Sequence, residues 1–144
     1  MTREALVADT GGLLRALAND RTGNPAWPDY RQALRSATRV IVPSSILPEV
    51  DYFLRDDREA MRHLVAEIFD PATTYEYEHV HPTDIVRALI IDAKFRELSL
   101  GLVDGTVAAV AERRRIHRVL TTDRRDFSSV RVGSHFMTAL QLVP

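Results

Sequence analysis

Four acidic residues, Asp9, Glu49, Asp104 and Asp123, each stand where an apolar stretch ends or a helix begins. Carboxylates from distant parts of a chain that meet at one sheet edge repel and raise one another's pKa. A hard divalent cation is the usual counter-charge. Such an ion binds a bridging phosphate and lowers the pKa of a bound water. The pattern therefore points toward metal-dependent chemistry on a phosphodiester. A ligand set of oxygens alone suits Mg²⁺ or Mn²⁺ and not zinc.

Each acid also has an ordinary reading. Asp9 and Asp104 can cap the helices they precede, a use of aspartate worth about 1 kcal/mol. Asp123 suits a turn. Glu49 is harder to explain that way. A capping-box glutamate lies three residues after its capping serine, and those positions hold Leu47 and Pro48. With Val50 and Phe53 expected to be buried, Glu49 lies near an apolar surface, where an unpartnered carboxylate is costly. Four such placements together favour a shared cation. Asp126 lies near enough to Asp123 to serve as an extra ligand. Asp51 points elsewhere on its helix, and Asp92 is expected to pair with Arg96 four residues on. His79 and His81 would share one side of a strand, with no acid beside them. Ser44, Ser45 and the histidines carry no nucleophile motif, and Gly11-Gly12 is not a phosphate-binding fingerprint.

The elements that must position these acids alternate between strand and helix. Ala5 to Ala8 is apolar and reads as a buried strand, followed by a tight turn and a helix through Leu13, Leu14 and Leu17. Asn19 to Pro28 is rich in turn residues, and a helix follows over Tyr30 to Ser36. Arg39 to Val42 is a second strand, and Ser44 or Ser45 is placed to cap the next helix. A helix is expected over Asp57 to Phe69, and Thr73 to His81 alternates as a strand. Pro82 starts a helix to about Leu98, Gly101 breaks it, and Val103 to Arg114 forms another, Ala- and Val-rich and so buried. Val119 to Thr121 is a strand, Thr122 to Phe127 a turn, and Phe136 to Leu142 a last strand. This alternation predicts a three-layer α/β domain with a parallel sheet, whose ligands bind at the carboxyl ends of the strands.

Bulk properties narrow the class. At 144 residues with 45% hydrophobic and 27% charged, the chain is expected to be one soluble globular domain, residues 1–144. The absence of cysteine excludes disulfides and thiolate chemistry and is compatible with a reducing cytoplasm. The N-terminus lacks a signal-peptide core, and no stretch approaches the roughly 18 apolar residues of a membrane span. Net charge is -1, yet the bases are one lysine, Lys94, and eighteen arginines. Seven arginines lie between Arg113 and Arg131, close in sequence to Asp104 and Asp123, as expected where arginines grip phosphates beside a metal centre. A solvated helix end would look the same.

The segments carrying these acids resemble the signature segments of PIN domains. They are Val7-Ala8-Asp9-Thr10, Ile46-Leu47-Pro48-Glu49-Val50, Leu102-Val103-Asp104-Gly105, and Thr121-Thr122-Asp123-Arg124-Arg125-Asp126-Phe127. Their order and spacing are similar to those of the VapC toxins of bacterial toxin–antitoxin pairs. The resemblance covers essentially the whole chain, and the last segment is the most specific. It implies an α/β/α sandwich and a Mg²⁺- or Mn²⁺-dependent endoribonuclease that cuts a tRNA or rRNA loop with a metal-activated water. Asp9, Glu49, Asp104 and Asp123 would be the metal-binding carboxylates, oriented by the hydroxyls of Thr10 and Thr121. The partners it implies are a second copy in a homodimer and a VapB-type antitoxin whose tail blocks the acidic site. Gly12 departs from the pattern, where a bulkier residue is common. The rival expectation is a non-catalytic PIN-fold module that only binds RNA or protein. Asp9 as a phosphatase nucleophile is disfavoured because Gly11 takes the place of that motif's second Asp. A phosphate-receiving regulator is disfavoured because the only lysine is mid-helix.

Overall fold

Leu6, Val7 and Ala8 are all fully buried, so their strand must lie inside a sheet covered on both faces. The computed structural model describes residues 4–144. The chain begins β1 (Leu6–Ala8), α1 (Thr10–Leu17), α2 (Pro28–Ser36), β2 (Val40–Pro43) and, after a 3₁₀ turn at Ser44–Ile46, α3 (Leu47–Phe53). There follow α4 (Arg58–Ile68), β3 (Tyr75–Glu78), α5 (Pro82–Lys94) and α6 (Gly101–Arg114). The last third holds β4 (Arg118–Leu120), α7 (Arg124–Phe127), β5 (Arg131–Val132), β6 (Thr138–Ala139) and β7 (Gln141–Val143). Five strands form one parallel sheet in the order β3-β2-β1-β4-β7, and helices cover it as the outer layers of an α/β/α sandwich. The expected fold class is therefore what forms.

The core follows from composition. Gly105 to Ala111 of α6 are all buried, as a helix apolar on every side must be. Gly105 packs at Ala88 of α5, where a Cβ would lie 2.9 Å from both the Ala88 Cβ and its carbonyl oxygen. On the polar side of this pair, Arg113 grips the buried Asp84 through Nε–Oδ1 (2.9 Å) and Nη2–Oδ2 (3.0 Å). The α4 helix starts where Asp57 accepts the Ala60 amide at 3.1 Å. Asp57→Ala is expected to lower stability by about 1 kcal/mol, measured by urea denaturation; no change would mean the cap is dispensable.

Several expected boundaries move. The helix from Pro82 stops at Lys94, and a 3₁₀ turn at Arg96–Leu98 completes it. Gly101, at φ 76°, opens α6 instead of preceding it, so Asp104 is its fourth residue and not its cap. Thr122 to Phe127 is not all turn, because Asp123 accepts the Asp126 amide at 3.2 Å and starts α7. The expected last strand is broken. Gly133, His135 and Phe136 all have positive φ, folding β6 back antiparallel onto β5, and only Gln141–Val143 joins the main sheet. Ser44 does not cap α3: its hydroxyl accepts the Val80 amide at 2.9 Å. Phe53, expected to be buried, is 62% exposed, because the buried face of α3 presents Val50 instead.

Candidate active site

Asp9 is the first residue beyond β1, at the carboxyl end of a central strand, and is 6% exposed. It does not cap α1. Its Oδ2 instead accepts the Thr121 hydroxyl at 2.8 Å, and that hydroxyl oxygen accepts the Asp123 amide at 2.9 Å. Thr121 is fully buried just beyond β4, which pairs with β1, so adjacent strand ends set these three residues side by side. From the opposite neighbour, the α3 helix after β2 delivers Glu49. The Thr10 hydroxyl donates to Glu49 Oε1 at 2.6 Å. Thr10 and Thr121 thus each donate a hydroxyl to one of the carboxylates. Behind Asp104, Thr106 is buried on α6, its hydroxyl within 2.8 Å of Ser45 Oγ and 2.7 Å of the Val103 carbonyl.

The acids share one electrostatic field. Burial pushes the Asp104 carboxyl up to about 7, and the charges of Asp9, Asp123, Glu49 and Asp126 push it the same way. Burial also raises Asp9, with Glu49 and Asp123 adding to it against the hydrogen bonds from Thr121 and the Thr10 amide. Asp123 is raised by burial and by the neighbouring Asp126, opposed by the Asp126 amide and by Arg125. Three carboxyls, Asp9 just beyond β1, Asp104 in α6 and Asp123 just before α7, are thus raised together, with Glu49 of α3 and Asp126 of α7 adding negative charge and no ion pair to any of the five among the described residues. Among those residues no three acids or imidazoles stand as a ready-made metal shell. In donor chemistry and charge they nonetheless fit a hard divalent ion: all donors are oxygen, and burial together with mutual repulsion penalises the site until a cation is bound.

The remaining candidates lie elsewhere. Asp51 pairs with Arg58 at 2.6 Å. Asp92 accepts the Gly101 amide at 3.1 Å rather than pairing with Arg96, because that amide opens α6 beside it. His79 and His81 fall outside β3, which ends at Glu78; His81 stands at the start of α5 and its amide donates to Asp84. The arginine cluster is largely committed to structure. Arg113 pairs with Asp84 and Glu78, Arg114 with Glu76 and Glu78, and Arg118 with Glu4, so they are not free to grip phosphate. The position of Arg113 and Arg114, at the opposite end of α6 from Asp104, could not be read from closeness in sequence. Sequence reasoning also missed Tyr30, whose hydroxyl donates to the Thr121 carbonyl at 3.3 Å. No periodicity marks that contact, since it joins residues 91 apart.

Comparison with known proteins identifies the family and the fold. The family model described as "PIN domain" matches residues 6–133. Ribonuclease VapC26 of Mycobacterium tuberculosis is 29% identical over 132 residues, covering 88% of this chain and 92% of that protein. The crystal structure of M. tuberculosis VapC20, a Sarcin-Ricin loop cleaving toxin, superposes with a TM-score of 0.67 at 22% identity, covering 84% of this chain and 92% of that one. A toxin–antitoxin complex from Klebsiella pneumoniae gives a TM-score of 0.64 at 19% identity, with 86% and 91% covered. The last two likenesses concern the fold.

Proposed function

This chain belongs to the PIN-domain family, and from that premise we propose that it is a metal-dependent endoribonuclease of the VapC type, the toxin of a toxin–antitoxin pair. The observation that carries the reading is the set of mutually repelling carboxylates, Asp9, Glu49, Asp104 and Asp123, at one end of the parallel strands. These four would hold Mg²⁺ or Mn²⁺, with Asp126 as a further acid in the first turn of α7. Bound there, such an ion supplies charge for the phosphate and a more acidic water. Thr121 fixes the orientation of Asp9, and Thr10 that of Glu49, so that neither carboxylate has to be ordered when substrate arrives. The likeness to Ribonuclease VapC26 supports RNA as the substrate, and that to a Sarcin-Ricin loop cleaving toxin supports a structured loop as the target, in rRNA or by extension tRNA.

A VapB-type antitoxin is the expected regulator, supported by the likeness to a toxin–antitoxin complex. A homodimer is supported by the outward apolar face of α5, where Val86, Leu89 and Ile90 are each about half exposed. Among the described residues no helix is long and apolar enough to cross a membrane.

The test is cleavage of total RNA by purified protein with Mg²⁺ or Mn²⁺, with EDTA, and with the Asp9→Ala variant. Discrete products that require both metal and Asp9 are expected. Cleavage undiminished in EDTA and in Asp9→Ala would refute the reading, and no cleavage by folded, inhibitor-free protein would leave a PIN-fold binding module. Thr121→Val tests the support beneath the acids. It removes one donor and one acceptor, and a fall of about 10- to 100-fold in metal affinity or cleavage is expected. Unchanged metal titration curves would show that Asp9 needs no such brace.

A further inference from the structure

The loop between α1 and α2 ends on the chain's one tryptophan, Trp27, directly before α2. Trp27 is 43% exposed, and a lone exposed apolar residue is by itself ordinary. Its surroundings are not. The Arg15 guanidinium lies 4.0 Å from the centre of the indole and 5.5 Å from that of the Tyr30 ring. Tyr30 meets Trp27 edge-on at 6.4 Å and reaches through its hydroxyl to the Thr121 carbonyl. Thr121 is the residue that holds Asp9. Trp27 is thus linked to Asp9 through two residues, Tyr30 and Thr121.

The segment is built to stay in place. Asp20 Oδ1 accepts the Thr22 amide and hydroxyl and the Asn24 amide, and Asn19 bridges to Pro25. Arg31 ties α2 back to the carbonyls of Ala16 and Ala18 and to the Asn19 side chain. Arg15 differs from Arg31, Arg113, Arg114 and Arg118, which are spent on protein acceptors. Among the described residues it has no carboxylate partner, and a stacked guanidinium keeps its N–H edge open to phosphate.

We propose that Trp27, backed by Arg15, is a stacking site for a nucleobase of the single-stranded RNA that enters the acidic rim, with Arg15 also contacting the adjoining phosphate. This rests on the ribonuclease reading and deepens it by naming the residues that hold substrate. An indole offers every base a π-face, and a guanidinium fixed behind it stiffens the ring and adds positive charge where a strand must pass.

Because no other tryptophan is present, tryptophan emission, excited selectively over tyrosine, reports this site alone. The full chain is titrated with a single-stranded RNA of mixed sequence in EDTA, which withholds the metal that cleavage requires; the RNA is about ten nucleotides long, a length within the usual range of single-strand sites. Binding is followed in parallel by anisotropy of the labelled oligonucleotide. Quenching of Trp27 emission is expected to track binding. Trp27→Ala is expected to weaken binding by about 5- to 150-fold, the worth of one stacked base, while Trp27→Phe retains most of it. Arg15→Gln should reduce the slope of log affinity against log salt by about 0.7, one single-strand phosphate. Circular dichroism of each variant checks the fold. Binding without quenching, an unaffected Trp27→Ala, or no binding at all overturns the proposal, as does quenching by an antitoxin peptide alone. The ribonuclease reading fails by a different result, namely wild-type protein that shows no metal-dependent cleavage of total RNA whatever its fluorescence does.

Discussion

Asp104→Asn is expected to lower RNA cleavage by about 10³-fold or more, the equivalent of the several kcal/mol that a correctly held metal ion contributes to such a reaction. The same change is expected to stabilise the metal-free protein at neutral and higher pH. Burial, with Asp9, Asp123, Glu49 and Asp126 around it, raises the Asp104 carboxyl to about 7. In the unfolded chain an aspartate titrates near about 3.9. Between those values the folded protein keeps a proton that the unfolded chain has lost, so wild-type stability falls as pH rises. Below the lower value both states are protonated and the site costs nothing. Above the upper one the full penalty is present. Asparagine cannot ionise, so the variant loses this part of the slope, while Asp9 and Asp123, also raised, keep theirs. Urea denaturation in EDTA checks the sign: the advantage of Asp104→Asn is expected to be larger at about pH 8 than at about pH 5. Added Mg²⁺ should stabilise wild type more than the variant. Near-wild-type cleavage by Asp104→Asn, or a stability difference flat across pH, would remove Asp104 from the proposed site.

Gly12→Ala is expected to cost about 3 kcal/mol or more, at or beyond the upper end of ordinary overpacking, and to lower Tm by about 10 °C. A Cβ there would stand 2.1 Å from the Leu120 carbonyl oxygen, 2.4 Å from its carbon and 2.7 Å from the Thr121 nitrogen. These are backbone atoms of β4 and its end, which cannot rotate aside. Relief requires α1 to lift from the sheet or β4 to move, and either displaces the Thr121 hydroxyl from Asp9. Gly11→Ala is the control. Its Cβ would meet the Thr122 hydroxyl at 2.3 Å, a side-chain group that can turn away, so a smaller loss is expected. Equal losses in thermal denaturation at both positions would mean that the close approach of α1 to β4 is not what requires Gly12. Gly12, expected from the sequence to depart from the PIN pattern, is where α1 sits directly on the backbone of Leu120 and Thr121.

Three of the four acids were legible because each occupies a position with a local signature. Asp9 ends an unbroken apolar run, Glu49 follows a strand where no capping box can use it, and Asp123 follows a short β-branched run. The apolar runs similarly announced β1, β2, β4 and the buried α6, since a strand or helix covered on all sides has no polar face to display. Less was legible where short-range pattern and long-range pairing disagree. Phe136 to Leu142 has strand composition throughout, but positive φ at His135 and Phe136 and the partner offered by β5 divide it. Phe53 is apolar at helical spacing, yet α3 turns it outward, because the buried face of the helix presents Val50.

The sequence by itself determined which residue types stand at the ends of which strands, and so the fold class and the acids that could act together. These depend on burial and local backbone preference, which neighbouring residues encode. Only the tertiary structure decided the partners of those groups: Thr121 under Asp9, Thr10 on Glu49, Tyr30 beneath Thr121, and Arg15 stacked on Trp27. It also withdrew Arg113 and Arg114 from the acidic rim and committed them to Glu78, Asp84 and Glu76. Most of these contacts join residues tens of positions apart. Which side chains meet across such a separation depends on strand register and on how closely a helix such as α1 can approach the sheet, and neither carries a periodic trace in the chain.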